Sequence, residues 1–285
     1  MQIDALPAQP GTEPDWGAEK LDLDAYLARV GYDGPRTADA ATLRALHRAH
    51  LATFSFENVA LALGGAIDID IDAIQRKMVG EGHGGYCYEN NLLFAAVLER
   101  LGFPVSRLLS RVRRGNAPVR WRSHTVLLVE ADGRRWIADV GFGDEGPLEP
   151  VPFEAGGLLT AGDWTWRLDR EGDDWILRSE HADGWFDVWA VRLERQHAID
   201  FQVANHYSST HPRSPFVGQL VAQRPEAHVR YSLRNQELVR TFPDGRKETV
   251  RLSADELVDT LRETFRIALT DDESKLLRDL YPAAN

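Results

Sequence analysis

Three side chains stand out as able to do nucleophilic and acid–base chemistry: Cys87, His124 and Asp139. Cys87 is the single cysteine in 285 residues. It lies in the stretch Glu81-Gly82-His83-Gly84-Gly85-Tyr86-Cys87-Tyr88-Glu89-Asn90-Asn91, directly after a glycine pair. Leu92, Leu93, Ala96, Val97 and Leu101 follow at helical spacing, with Gly102 and Pro104 as stop signals. The pattern predicts a helix with Cys87 in its first turn. There, unpaired N–H groups and the positive dipole end favour a thiolate and can hold an oxyanion. A lone cysteine is equally a small apolar side chain buried for packing, so the thiol needs partners before it reads as a nucleophile.

Such a thiol requires a base and a group that orients the base. Residues 124–130 and 135–140 read as strands joined by the hairpin turn Asp132-Gly133. In that register Ala131 opposes Arg134 and Val126 opposes Asp139. His124 and Asp139 then share a face as diagonal neighbours, about 7–8 Å apart at Cα. Both faces of the hairpin are otherwise apolar: Val126, Leu128 and Ile137 on one, Leu127, Val129, Trp136 and Val140 on the other. An unpaired carboxylate there would cost several kcal/mol, so the two residues need each other. A one-residue slip would separate them. Three readings stay open on spacing alone: a Cys87–His124–Asp139 triad, a buried structural pair, and a metal site of His83, Cys87, His124 and Asp139. The last lacks the close ligand pairs of structural zinc.

Around these residues, Gly141-Phe142-Gly143 allows close backbone approach and offers an aromatic wall, or is a plain strand-ending turn. Glu57, Glu89 and Asn90 read as supports of the Cys87 turn. Arginines 107, 111, 113, 114, 120 and 122 form the one basic concentration, able to draw a phosphorylated ligand to the site or to serve as a solvated strand face.

The elements that must position this set follow from periodicity. Leu23, Tyr26, Leu27 and Val30 mark a first helix. Leu43, Leu46, His47 and His50 share a face of a second, capped by Thr37 or Asp39. Ile71, Ile74 and Met78 point inward from a third, ended by Gly80. After Pro104 strands take over at 105–112, in the hairpin, and in three segments punctuated by Gly-Asp-Trp, Gly-Asp-Asp-Trp and Asp-Gly-Trp, suggesting a meander or barrel with tryptophans on one side. A short helix near Phe201 to Tyr207, four strands around 217–252, a capping box at Ser253–Glu256 and a last helix from Asp271 complete the chain. The length implies two or three compact units. A hydrophobic share of 43% and a formal charge of −11 describe a globular chain and argue against nucleic acid or anionic membrane as main partner. One cysteine fits a reducing compartment, and no apolar run approaches the roughly 20 residues of a spanning helix. With no signal-peptide pattern at the start, a cytoplasmic protein is expected.

The combined motifs resemble the arylamine N-acetyltransferases of bacterial type. The matching pieces are Phe56-Glu57-Asn58, Gly84-Gly85-Tyr86-Cys87-Tyr88-Glu89-Asn90, Ser123-His124-Thr125, Asp139-Val140-Gly141-Phe142-Gly143 and Tyr207-Ser208-Ser209-Thr210-His211-Pro212. They come in the family's order, and the resemblance runs from about residue 26 to 265. It implies an α+β multidomain chain: a flexible lead over 1–18, a helical domain with the nucleophile over 19–103, an antiparallel β-barrel with His and Asp over 104–195, and an α/β lid over 196–285. The core would be the Cys-His-Asp arrangement of cysteine proteases and transglutaminases. The resemblance further implies a Cys87–His124–Asp139 triad and acetyl-CoA as co-substrate, with no tightly bound cofactor and no metal. The reaction would be a ping-pong transfer through an acetyl-cysteine to a small aromatic amine or hydrazine; the oligomeric state is left open. Phe142, Gly141, Gly143 and Tyr86 would contact substrate; Glu57, Asn58, His83 and Glu89 would support the site. One departure stands out: the family usually carries arginine where this chain has His83, as a partner of the Glu57 and Asn58 positions. The alternatives kept open are an amide synthase closing a macrolactam with the same triad, and a non-catalytic CoA- or metal-binding protein.

Overall fold

A computed structural model describes residues 16–115 and 119–282. Residues 1–15 of the expected lead lie outside the described residues. The first helices are α1 (Leu23–Arg29) and α2 (Ala40–Thr53), each started by an aspartate that accepts a backbone N–H, Asp22 from Ala25 and Asp39 from Thr42. Then follow β1 (Phe56–Glu57), α3 (Val59–Ala62) and α4 (Ile71–Gln75), which passes into a π turn, Arg76–Gly80, instead of continuing as one helix. The long α5 (Cys87–Arg100) begins at the thiol and is buried along nearly its whole length.

An eight-stranded antiparallel sheet comes next: β2 (Val105–Val112), β3 (His124–Ala131), β4 (Arg134–Ala138), β5 (Val151–Pro152), β6 (Gly157–Ala161), β7 (Trp164–Glu171), β8 (Asp174–His181) and β9 (Gly184–Val191). Its order is β5-β4-β3-β2-β9-β8-β7-β6, and β5 comes back against β6 and β7, so the barrel is nearly closed. The chain then forms α6 (Ala198–Thr210) and the strands β10 (Val221–Pro225), β11 (Arg230–Arg234), β12 (Glu237–Thr241) and β13 (Lys247–Arg251). Helices α7 (Ala254–Glu263) and α8 (Asp271–Leu280) end it, each opened by a capping box, Ser253 with Glu256 and Thr270 with Glu273. The fold is α+β: helices, a barrel and an α/β unit.

The hairpin register is the one read from the sequence: Ala131 pairs with Arg134 and Leu127 with Ala138. Its two apolar faces serve two cores. Leu127, Val129, Trp136, Ala138 and Val140 pack with α1, α2 and α5, whereas Val126, Leu128 and Ile137 face the barrel interior with Trp164, Trp166, Trp175 and Trp189. The third core joins β10–β12 to α7 and α8 through Leu220, Leu233, Leu257 and Phe265. Sequence reasoning missed β1, which pairs with β10 and so ties the C-terminal sheet to the segment beside the thiol.

Behind α5, His47 and His50 are fully buried and neutral, because burial pulls their pKa values down to about 4 and about 3. His50 suits that state: it accepts from Tyr26 Oη at 2.9 Å on Nδ1 and donates to Asn90 Oδ1 at 3.0 Å from Nε2. Unfolded, both histidines titrate near about 6.5, so below that pH the unfolded chain binds protons that the fold refuses. Stability is therefore expected to fall with acidification between about pH 6.5 and pH 4, by up to about 1.4 kcal/mol per pH unit per histidine. Urea unfolding should register a loss of about 3 kcal/mol from about pH 7 to pH 5.

Candidate active site

The turn before α5 is shaped by close packing. At Gly84 a Cβ would strike the Ser55 carbonyl, so only glycine lets the two backbones meet. Gly85 donates its N–H to Ser55 O at 3.2 Å and accepts from Glu57 N at 3.0 Å, which locks the turn to β1. Glu89 reaches back and accepts the Tyr86 N–H at 3.0 Å, fixing the first turn of α5. Cys87 is thereby held at a buried helix start, its Sγ 3.5 Å from the Ser123 carbonyl.

His124 opens β3 and Asp139 follows β4, so the hairpin presents both on one face, as its register requires. His124 Nε2 meets Asp139 Oδ2 at 2.7 Å, with both side chains buried. A carboxylate only accepts, so the ring proton sits on Nε2 and the lone pair is left on Nδ1. Asp139 takes three more hydrogen bonds: Asn91 Nδ2 at 3.0 Å and Gly141 N at 3.1 Å on Oδ1, and Trp189 Nε1 at 3.0 Å on Oδ2. Burial by itself would raise its pKa; the charge of His124 and these donors outweigh it and hold the carboxyl below its usual range. For Cys87 the balance differs. Burial and the nearby Asp139 charge push the thiol up, against the opposing amides of Tyr88 and Thr125. Burial thus works against a thiolate at this helix start.

Cys87 and His124 line one cavity of about 280 Å³, walled by Phe56, Trp121, Phe142 and Phe216 and closed by Val221, Gln223, Ser232 and Leu233 of the C-terminal sheet. Phe142 lies edge-on to the His124 ring, with centroids 5.0 Å apart. The other expected substrate contacts are placed differently. Gly141 sits against the start of α5, where a Cβ would stand 2.8 Å from Cys87 O and 2.6 Å from Asn91 Nδ2. Gly143 abuts Gln223 with φ +93°. Tyr86 is fully buried and donates its hydroxyl to Asn205, outside the cavity lining.

Among the supports, Asn58 donates to the carbonyls of Phe216 and Gln219 at 3.1 and 2.8 Å and accepts from Val221 N at 2.7 Å. Glu57 and Glu89 share a cation, but it is Lys77, at 3.3 and 2.8 Å. His83 instead faces Glu273 at the start of α8, 3.5 Å away. The cation that the resemblance places at position 83, beside Glu57, is thus supplied here by Lys77 of the π turn. Among the described residues no group of three or more His, Cys, Asp or Glu side chains converges as a metal site would require, and no helix is long and apolar enough to cross a membrane.

Sequence reasoning also missed Asn91, which donates to Thr125 O at 2.8 Å and to Asp139, and accepts from Val140 N at 3.0 Å. The available signal was its place four residues after Cys87, a polar side chain on the same helix face. Trp189 carried none, being one of several strand tryptophans. Among the described residues, three of the six arginines in the concentration are in ion pairs: Arg107 binds Glu99 at 2.6 and 2.8 Å, Arg113 binds Asp187 at 3.2 Å and Arg122 binds Glu194 at 2.8 Å.

Residues 39–274 match a family model described as N-acetyltransferase. An arylamine N-acetyltransferase of Mycolicibacterium smegmatis is 37% identical over 258 residues, covering 88% of this chain and 94% of that protein. One from Escherichia coli is 36% identical, covering 80% and 76%. Among solved structures, the arylamine N-acetyltransferase of Mycobacterium abscessus superposes with a TM-score of 0.89 at 35% identity, covering 96% of this chain and 99% of that one. The Mycobacterium marinum enzyme in complex with CoA gives 0.84 at 32% identity, covering 92% and 100%.

Proposed function

The chain belongs to the arylamine N-acetyltransferase family, acyltransferases that use acetyl-CoA as co-substrate, and from that premise we propose that Cys87, His124 and Asp139 act as a triad carrying the acetyl group in two half-reactions. What supports this reading above all is that the thiol and an Asp139-held imidazole line the same aromatic cavity.

In the first half-reaction His124 Nδ1 takes the Cys87 proton and the thiolate attacks the carbonyl carbon of acetyl-CoA. N–H groups at the start of α5 hold the oxyanion. The carbon–sulfur bond to CoA breaks, CoA leaves with the proton from His124, and an acetyl thioester remains on Cys87. In the second, an aromatic amine or hydrazine attacks that thioester. His124 accepts the proton from its nitrogen and returns it to the Cys87 sulfur as the carbon–sulfur bond breaks and the amide is released. An aromatic amine suits the site because its nitrogen is mostly unprotonated at neutral pH. Val221 and Leu233 keep the acetyl-enzyme from bulk water. A cavity of about 280 Å³ accommodates one substituted ring rather than the chain of a macrolactam precursor.

The test is direct. After incubation with acetyl-CoA and an acid quench, the intact protein should gain the mass of one acetyl group, and Cys87→Ala should gain none. A folded wild type that acquires no adduct would overturn the proposal.

A further inference from the structure

Three buried side chains, Tyr26, His50 and Asn90, form a hydrogen-bonded chain from α1 through α2 to the turn before Cys87. Its direction is set at the far end. The Gly85 and Tyr86 carbonyls only accept, so Asn90 must turn its NH₂ towards them; it donates to Gly85 O and, at 3.3 Å, to Tyr86 O. Asn90 Oδ1 then faces His50 Nε2 at 3.0 Å, which must carry the ring proton. That leaves Nδ1 to accept from Tyr26 Oη at 2.9 Å. Burial keeps the ring neutral, with its pKa down at about 3, and keeps the phenol protonated, its pKa raised. Every donor in the chain therefore points the same way, towards the nucleophile turn.

The two carbonyls belong to the peptides that lead into α5. Gly85 O is held from the other side by Glu57 N at 3.0 Å, and Tyr86 O accepts the first helical bond from Asn90 N at 3.1 Å. A trans peptide is planar, with C=O and N–H opposed, so a fixed Tyr86 carbonyl fixes the direction of the Cys87 N–H. We propose that His50 and Asn90 are positioning residues that aim this N–H at the oxyanion of the reacting acetyl group: His50 orients the Asn90 amide, and Asn90 orients the peptide. The proposal rests on the transferase reading above and adds to it residues that act through the backbone of Cys87 without lining the cavity.

Filling space would not need this polarity. An Asn90 amide turned over would set its oxygen against both carbonyls and its NH₂ against the His50 N–H. At a fully buried site bulk water cannot replace the bonds lost. A neutral imidazole with its proton on Nε2 forbids that turn, and Tyr26 holds the proton there by donating to Nδ1. The backbone bonds of Gly85 and Tyr86 do not pass through the Asn90 side chain. Its removal therefore loosens the peptide plane before Cys87 without unmaking the turn.

The experiment compares two reactions of the same thiol. Acetylation by acetyl-CoA, followed by rapid quench, passes through an oxyanion; alkylation by iodoacetamide needs the thiolate but forms no oxyanion. The readout is the ratio of the two rate constants within each protein, which cancels changes in the folded fraction and in the ease of deprotonating Cys87. Asn90→Leu and His50→Leu are expected to lower this ratio by about tenfold, part of what an oxyanion donor contributes when lost outright. His50→Gln keeps an N–H donor for Asn90 and is expected to recover the ratio to within about threefold of wild type. An unchanged ratio in Asn90→Leu and His50→Leu, with both reactions slowed alike or neither slowed, overturns the proposal. So does an equal loss in His50→Gln and His50→Leu, because the donor would then be irrelevant. Should Asn90→Leu fail to fold, the two His50 variants decide. A folded wild type that is alkylated but takes up no acetyl group defeats the transferase reading, and the positioning role falls with it.

Discussion

Asp139→Asn should leave a folded protein whose acylation by acetyl-CoA is slower by about 10⁴-fold. Four donors converge on this carboxylate: His124 Nε2, Asn91 Nδ2, Trp189 Nε1 and the Gly141 N–H. A carboxylate can accept all four; a side-chain amide has one accepting oxygen. Turned one way, its NH₂ group confronts His124 and Trp189; turned the other, it confronts Asn91 and Gly141. In the first orientation His124 relieves the clash by moving its proton to Nδ1, which deprives Cys87 of its base. In the second, the imidazole keeps its tautomer but loses the negative charge that stabilises the imidazolium. Burial, the largest of the causes that raise the thiol, remains in the variant, so proton transfer to His124 stays the proposed route to a thiolate. Rapid-quench measurement of the acetyl adduct, alongside circular dichroism, checks this. An acylation rate within tenfold of wild type would mean that Asp139 only packs the hairpin.

Much of this site could be read from residue order. The hairpin register follows from Asp132-Gly133, and alternation then sets His124 and Asp139 on one face, because a strand's period is two. Cys87 at a helix start follows from the glycine pair and the apolar spacing after it. What escaped was long-range. Trp189 reaches Asp139 only because β9 lies beside β2 in the barrel, and no local pattern encodes that neighbour. Arg234 reaches the cavity because β11 is drawn in through β10 and the two-residue strand β1, too short to show a period. Tyr86, beside Cys87 in sequence, stays out of the cavity lining, because it is the extended residue that precedes α5 and its hydroxyl donates to Asn205. Proximity along the chain misled there, and proximity in space was hidden elsewhere.

The same contrast bears on the cation beneath the turn that precedes Cys87. Lys77→Met is expected to destabilise the protein by about 3–5 kcal/mol, the usual cost of removing one partner from a buried charge group. Lys77 Nζ bridges Glu57 and Glu89, and both carboxylates are buried. Burial alone would drive the ammonium to lose its proton, but the two carboxylates outweigh that and raise its pKa. Glu89 is itself raised, by burial first and by Glu57, against the pull of Lys77. Without the lysine, two like charges face each other in a dry site and one must bind a proton. A carboxyl whose folded pKa lies above its unfolded value weakens the fold above that pKa and ceases to do so as pH falls. The stability deficit of Lys77→Met relative to wild type should therefore shrink as pH falls from neutral. Acylation should weaken as well, since Glu89 caps the turn that presents Cys87. His83 offers a second-site test. Its neighbour Gly84 lies against Glu57, where a Cβ would sit 2.9 Å from Cγ, so an arginine in place of His83 starts within reach of the orphaned carboxylates. Adding His83→Arg to Lys77→Met should recover a substantial part of both stability and acylation, measured by urea unfolding and by the acetyl adduct. Wild-type stability in Lys77→Met would show that the two glutamates need no cation.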